Sequence, residues 1–319
     1  MKKPRVLVTR RIADEAISLL KESADVEVWE EDRPIPREAF LQKAEQADAI
    51  LAMLTEKVDE ELLMRAGSLR IVANMAVGYD NIDREACKRR SVIVTNTPDV
   101  LTEATADLAF ALLMAAARRL PEADRFVREG RWTSWSPGLM TGQSVYGTTL
   151  GIIGMGRIGE AVAMRAKGFA MNILYHNRRR KPEAEARIGA KWASLEDLLR
   201  QADHVILLTP LTEETRLLMG EREFSLMKPT AVFVNVSRGG TVDETALYRA
   251  LTENKIWAAG LDVFQQEPVP SDHPLLRLSN VVALPHIGSA TIQARTEMAR
   301  LAAANIVSVL GGKEPLTPV

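Results

Sequence analysis

The chain has 319 residues, 46% apolar and 26% charged, with a formal net charge of −1 and a single cysteine, Cys87. The length points to two domains. The near-zero charge argues against nucleic-acid and anionic-membrane partners, and one cysteine excludes an internal disulfide and fits a reducing cytoplasm. No run approaches the ~18 consecutive apolar residues of a membrane span. The apolar stretch behind the basic start, Val6–Val8, is too short for a signal peptide.

Residues 5–95 alternate strand-like and helix-like segments. Strands are expected at 5–9, 26–29, 49–54, 71–73 and 92–95, with helices at 13–21, 37–46, 60–66 and around 84–90. Such repeated β-α units predict a parallel sheet covered by helices. Cys87 falls in the last of these helices and reads as inert packing. A long helix follows from Thr102. Its run Leu108–Arg118 is apolar on nearly every face and is expected to be buried, with Pro121 limiting it. Residues 128–149 read as irregular, and a loop of that length in a compact domain is usually functional.

A second β-α series opens at Leu150, with strands expected at 150–153, 171–175, 203–208, 230–235, 257–261 and 281–284, and a last helix near 291–310. Gly154, Gly156 and Gly159 form a G-x-G-x-x-G pattern between the first of these strands and a helix-like stretch, 160–167. That context marks a dinucleotide site. The glycines allow the tight turn, the close approach of a pyrophosphate and the packing of helix on strand. The helix start supplies unpaired N–H groups.

The next strand ends at His176. Where an acidic residue usually holds the ribose hydroxyl, this chain has Asn177, then Arg178, Arg179, Arg180 and Lys181. Guanidinium groups there suit a 2′-phosphate, so NADP(H) is the expected cofactor, with Arg178 and then Arg179 as its contacts; NAD(H) stays open. Elsewhere such a run is simply a solvated basic loop.

Four histidines are present. His176 and His204 fall in or beside strands and read as structural, and His273 sits in a polar loop. His286 follows the last strand, where ligands of open α/β sheets bind. Arg238 and Glu267 hold equivalent places after the strands at 230–235 and 257–261. Each alone reads as a surface ion-pair residue. Together they form a set for reducing a ketone: His286 as proton donor, Glu267 orienting it, and Arg238 polarising the carbonyl and gripping a carboxylate.

Gly154–Gly159, Ser237-Arg238-Gly239, Glu267-Pro268 and Pro285–Ala290 resemble the D-isomer-specific 2-hydroxyacid dehydrogenases, as do 74–83 and 96–107. The nearest likeness is to glyoxylate/hydroxypyruvate reductases and 2-ketogluconate reductases. The resemblance implies two doubly wound parallel-sheet α/β domains. Residues 1–99 and 288–319 form a flavodoxin-like substrate domain, and 100–287 an inserted Rossmann domain, with the active site in the cleft between them. Val77 and Gly78 are implied to offer N–H groups to a 2-oxoacid carboxylate, with Leu54 lining the substrate pocket beside Arg238 and His286. Thr102 and Asp262 border the nicotinamide, and Arg157 and Ile158 the pyrophosphate. Thr209, Pro210, Val236, Ser237, His286 and Gly288 complete the cofactor's surroundings. No metal is implied. An arm at about 120–148 is the implied homodimer contact, burying Trp132 and Trp135, for which core packing is the alternative.

One departure concerns Leu139, which stands where some of these reductases carry a further tryptophan. Phosphite dehydrogenases carry lysine at the position of Val77. Phosphoglycerate dehydrogenases often extend beyond the point where this chain ends, and formate dehydrogenases are longer. A nucleotide-sensing scaffold like the family's corepressors is the rival from another class.

Overall fold

A computed structural model describes residues 3–319. In chain order the elements are β1 (Arg5–Val8), α1 (Asp14–Ser23), β2 (Asp25–Val28), α2 (Arg37–Ala44), β3 (Ala49–Ala52), α3 (Glu60–Arg65), β4 (Ile71–Asn74), α4 (Arg84–Arg89) and β5 (Ile93–Thr95). Then come α5 (Thr102–Ala117), α6 (Leu120–Arg128), β6 (Thr149–Ile153), α7 (Arg157–Gly168), β7 (Asn172–His176), α8 (Pro182–Ile188), β8 (Lys191–Trp192) and α9 (Leu195–Gln201). The chain closes with β9 (His204–Leu207), α10 (Glu221–Leu226), β10 (Val232–Asn235), α11 (Glu244–Thr252), β11 (Ala258–Leu261), β12 (Val281–Ala283) and α12 (Ile292–Leu310).

The chain divides into two compact units, one made of the residues up to Leu101 with Ser289–Val319, the other of Thr102–Gly288. The first holds a five-stranded sheet in the order β2-β1-β3-β4-β5, every pair parallel. β3 and β4 are buried at every position, as parallel strands between two helix layers must be. Leu7, Phe40, Leu41, Ile50, Leu62 and Val72 share one core with Cys87. Burial pushes the Cys87 thiol up to about 11, so it packs as an unreactive apolar group. Asp59 and Asp83 cap α3 and α4 through side-chain bonds to the Leu62 and Ala86 amides.

The second unit holds seven parallel strands in the order β12-β11-β10-β9-β6-β7-β8. α5 packs across β10 and β11 and buries Ala109, Phe110, Leu112, Leu113, Ala116 and Ala117.

Three expectations need correction. The strand expected to reach Leu54 stops at Ala52, because the Glu56 carboxylate takes the Met53 N–H at 2.8 Å. Pro121 does not end helical structure. Arg119 turns the chain at φ 55°, and Pro121 then lies in the first turn of α6, where a missing N–H is harmless. The arm therefore begins as a helix that buries none of its residues. Trp132 and Trp135 lie beyond it and are 57% and 77% exposed, so they do not pack into the core of this chain. β8, only two residues long, carries no sequence signal of its own.

Candidate active site

The glycine loop leaves β6 and enters α7. Gly154 adopts φ +102°, and a Cβ there would lie 2.9 Å from the Leu208 carbonyl carbon and the Thr209 nitrogen. Only glycine meets both conditions. A Cβ on Gly156, by contrast, would face open space. Arg157 and Ile158 open α7, a twelve-residue helix with Gly156 at its cap. The Thr209 hydroxyl, after β9, is buried without a hydrogen-bond partner. A helix start facing open space and an orphaned hydroxyl nearby fit a dinucleotide's pyrophosphate.

Asn177 is committed to this loop rather than left free. Its Oδ1 accepts from the Met155 amide at 2.7 Å and its Nδ2 donates to the Met155 carbonyl at 3.3 Å. The Trp192 indole donates to the Asn177 carbonyl at 3.0 Å. Arg178 and Arg179 follow on the surface, Arg178 paired with Glu214 at 3.3 Å. Arg180 and Lys181 bind Glu185 and Glu160 instead. Among the described residues Arg179 is unpaired, and the Arg178–Glu214 contact is longer and more exposed than the other two, so the first two cations suit a ligand phosphate best.

At the carboxyl ends of β10, β11 and β12 the sequence-predicted trio gathers. His286 Nδ1 lies 2.7 Å from Glu267 Oε2, while Glu267 Oε1 accepts from the Phe264 amide at 3.0 Å. Burial opposes ionisation of Glu267. The bond to His286 and its charge, the Phe264 amide and the Arg238 charge outweigh it and hold the carboxyl below its ordinary value. Glu267 is therefore an anion at neutral pH. Arg238 sits in a turn whose carbonyl is held by Asn235 Nδ2 at 3.1 Å and by the Thr241 hydroxyl at 2.6 Å. Its Nη1 donates to the Ser237 carbonyl at 2.8 Å. The next residue has to be glycine, since a Cβ on Gly239 would overlap the Phe264 carbonyl. That contact brings the arginine turn against the loop that carries Glu267.

Asp262 is 1% exposed and accepts from the Ile287 and Gly288 amides at 2.7 and 2.8 Å. Its own carbonyl accepts from the His286 amide at 2.8 Å. Burial pushes its carboxyl above the ordinary value despite those amides and His286. Asp262 thus anchors the histidine loop, and its carboxylate is spent on that task. Ser237 is likewise satisfied internally, by Asn235 at 2.8 Å, with Val236 buried beside it. Thr102 opens α5, and Pro210 is exposed after β9.

The remaining histidines are structural. His176 Nδ1 meets the Ala193 carbonyl and His204 Nε2 the Ser144 carbonyl, both at 3.0 Å. His273 pairs with Glu244 at 3.2 Å.

In the first unit, Val77 and Gly78 follow β4. The Ala76 carbonyl accepts from the Thr97 amide at 2.8 Å, and the Val77 carbonyl from Asn96 Nδ2 at 2.9 Å. In a trans peptide each carbonyl points opposite the following N–H. The N–H groups of Val77 and Gly78 are therefore turned the other way, and among the described residues neither has an acceptor. Two adjacent unpaired donors suit an anion, in the manner of a backbone nest. Leu54 lies in the turn after β3 that Glu56 pins through Met53, Thr9 and Thr55. Asn81 joins that turn to the nest, bonding the Met53 and Glu56 carbonyls and Asn74, which in turn donates to the Gly78 carbonyl. Glu56, Asn74, Asn81 and Asn96 were not evident as site residues. Polar residues at strand ends are common, and only the fold shows what they bond.

A Rossmann-ordered sheet with this glycine loop, and an Arg–Glu–His set at its carboxyl edge, define a nicotinamide-dependent oxidoreductase. Residues 110–288 match the D-isomer specific 2-hydroxyacid dehydrogenase NAD binding domain, and the chain belongs to that family. It is 54% identical to a glyoxylate reductase of Thermococcus gammatolerans, over 99% of this chain and 96% of that protein. A glyoxylate reductase of Aeropyrum pernix is 53% identical, over 99% and 95%. Among solved structures, an NADPH-dependent glyoxylate/hydroxypyruvate reductase of Sinorhizobium meliloti, bound to NADP and malonate, superposes with a TM-score of 0.86. It is 35% identical over 100% of this chain and 97% of its own. A Thermus thermophilus protein reaches a TM-score of 0.94 at 44% identity, each chain 99% covered.

Proposed function

We propose that this chain reduces glyoxylate, hydroxypyruvate and similar small 2-oxoacids to D-2-hydroxyacids with NADPH. The observation that carries the reading is the His286–Glu267 bond of 2.7 Å beside the charge of Arg238. The glyoxylate reductases above support the substrate class, and the Sinorhizobium enzyme supports the cofactor. Bound NADPH supplies the hydride.

The protein's own residues do the rest. The N–H groups of Val77 and Gly78 take the substrate carboxylate, with Leu54 against its carbon chain. Arg238 grips the oxoacid and polarises the ketone, favouring the negative charge that grows on oxygen. His286 Nε2 donates the proton to that oxygen, while Glu267 at Nδ1 steadies the imidazolium. The Gly154–Gly159 loop with Arg157 and Ile158 holds the pyrophosphate, and Arg178 and Arg179 hold the 2′-phosphate. Thr102, Thr209, Pro210, Val236, Ser237, Asp262 and Gly288 complete the cofactor's surroundings.

The deciding experiment is kcat/KM for glyoxylate, hydroxypyruvate and 2-keto-D-gluconate with NADPH and NADH. Glyoxylate or hydroxypyruvate with NADPH should lead. Preference for 2-keto-D-gluconate would reassign the substrate, and no turnover would leave a nucleotide-sensing scaffold.

The enzyme is further proposed to be a cytoplasmic homodimer. Leu120, Val127, Trp132 and Trp135 expose apolar surface along one segment, and large aromatics at such sites carry much of an interface's energy. Sedimentation at micromolar concentration should report twice the chain mass. Replacing Trp132 and Trp135 with aspartate should give a monomer; an unchanged dimer would move the interface elsewhere.

A further inference from the structure

We infer that the carboxy-terminal segment Leu316–Val319 orients the Gly78 N–H through Asn96, and so sets how tightly the chain holds an oxoacid carboxylate. Asn305, fully buried on α12, accepts the Leu316 and Thr317 amides through Oδ1 at 2.9 and 3.0 Å. Its Nδ2 donates to the Thr317 hydroxyl at 2.9 Å. Thr317 clamps Asn96 from both sides. Its hydroxyl donates to the Asn96 carbonyl at 2.6 Å, and its carbonyl accepts the Asn96 amide at 3.2 Å.

The tail also bridges Thr95 at Pro318, and the Val319 amide donates to the Val94 carbonyl at 3.1 Å. With its backbone fixed, Asn96 turns its side-chain amide onto the Val77 carbonyl at 2.9 Å. That bond fixes the peptide plane so that the Gly78 N–H points away from the Asn96 side chain. Asn96 itself is 9% exposed, so water is a poor substitute donor. Thr317 and Asn96 are positioning residues; neither touches the reacting atoms in this scheme. The inference rests on the nest reading of Val77 and Gly78.

The test is steady-state kinetics with glyoxylate and NADPH. Thr317→Val keeps the side-chain shape and deletes the hydroxyl. It should raise the glyoxylate KM about 3- to 10-fold, as expected for one lost hydrogen bond, with kcat and the NADPH KM unchanged. Thr317→Ser should restore the wild-type KM. Asn96→Asp, which cannot donate to the Val77 carbonyl, should raise KM at least as much and covers the case in which Thr317→Val fails to fold. A folded Thr317→Val or Asn96→Asp enzyme with the wild-type glyoxylate KM overturns the inference. Gly78→Val separates the two layers, since a side chain there obstructs the nest whatever orients it. A wild-type KM in Gly78→Val overturns the nest reading; a raised KM there alone overturns only the role of the tail.

Discussion

Replacing His286 with alanine is expected to lower kcat for oxoacid reduction about 10²- to 10⁴-fold, the usual cost of a lost general acid, while NADPH still binds. The imidazole is tied to Glu267 at Nδ1, and among the described residues Nε2 has no partner, so it is the nitrogen available to a substrate oxygen. In the proposed mechanism, reduction consumes the imidazolium proton. Glu267, held below its ordinary value, is the anion that faces the imidazole.

Glu267→Gln removes the anion that steadies the imidazolium, so kcat for reduction should fall, by less than in His286→Ala. Pre-steady-state hydride transfer is the proper measurement, because slow product release can mask the chemical step. A His286→Ala enzyme that transfers hydride at the wild-type rate across the pH range would falsify the mechanism.

The second large effect concerns cofactor choice. Arg178→Ala with Arg179→Ala should lower kcat/KM for NADPH about 10- to 100-fold and leave NADH nearly unchanged. A hydrogen bond to a charged group contributes roughly 1.5–3 kcal/mol, about one to two decades in affinity. Both arginines are exposed, and Arg178 must leave Glu214 to meet a phosphate, so the lower end is expected and the effect should shrink with added salt. The structure also argues against changing Asn177 for this purpose. Its amide bridges the Met155 N–H and carbonyl, and an aspartate there would set a carboxylate oxygen against that carbonyl. Equal loss with both cofactors would mean that the arginines hold the loop rather than the 2′-phosphate.

Much of this protein is determined locally. The β-α alternation, the glycine loop and the three residues placed after successive strands are legible because each obeys a short-range rule. Parallel strands bury both faces, helix starts bind phosphate, and open α/β sheets present ligand groups at their carboxyl edges. His286, Glu267 and Arg238 could therefore be named together before any contact was known.

What tertiary structure alone decided is which polar groups were already spent. Asn177 stands where a ribose ligand usually does, and Asp262 is implied by the resemblance to border the nicotinamide; the side chain of the first is bonded to Met155 and that of the second to the Ile287 and Gly288 amides. Conversely, Asn96 and Thr317 lie 221 positions apart. No pattern of spacing or periodicity joins them, because their bond depends on α12 returning the chain to the edge of the first sheet. The exposure of Trp132 and Trp135 is of the same kind. A tryptophan's apolar area predicts burial somewhere, and only the folded chain shows that its own core does not supply it.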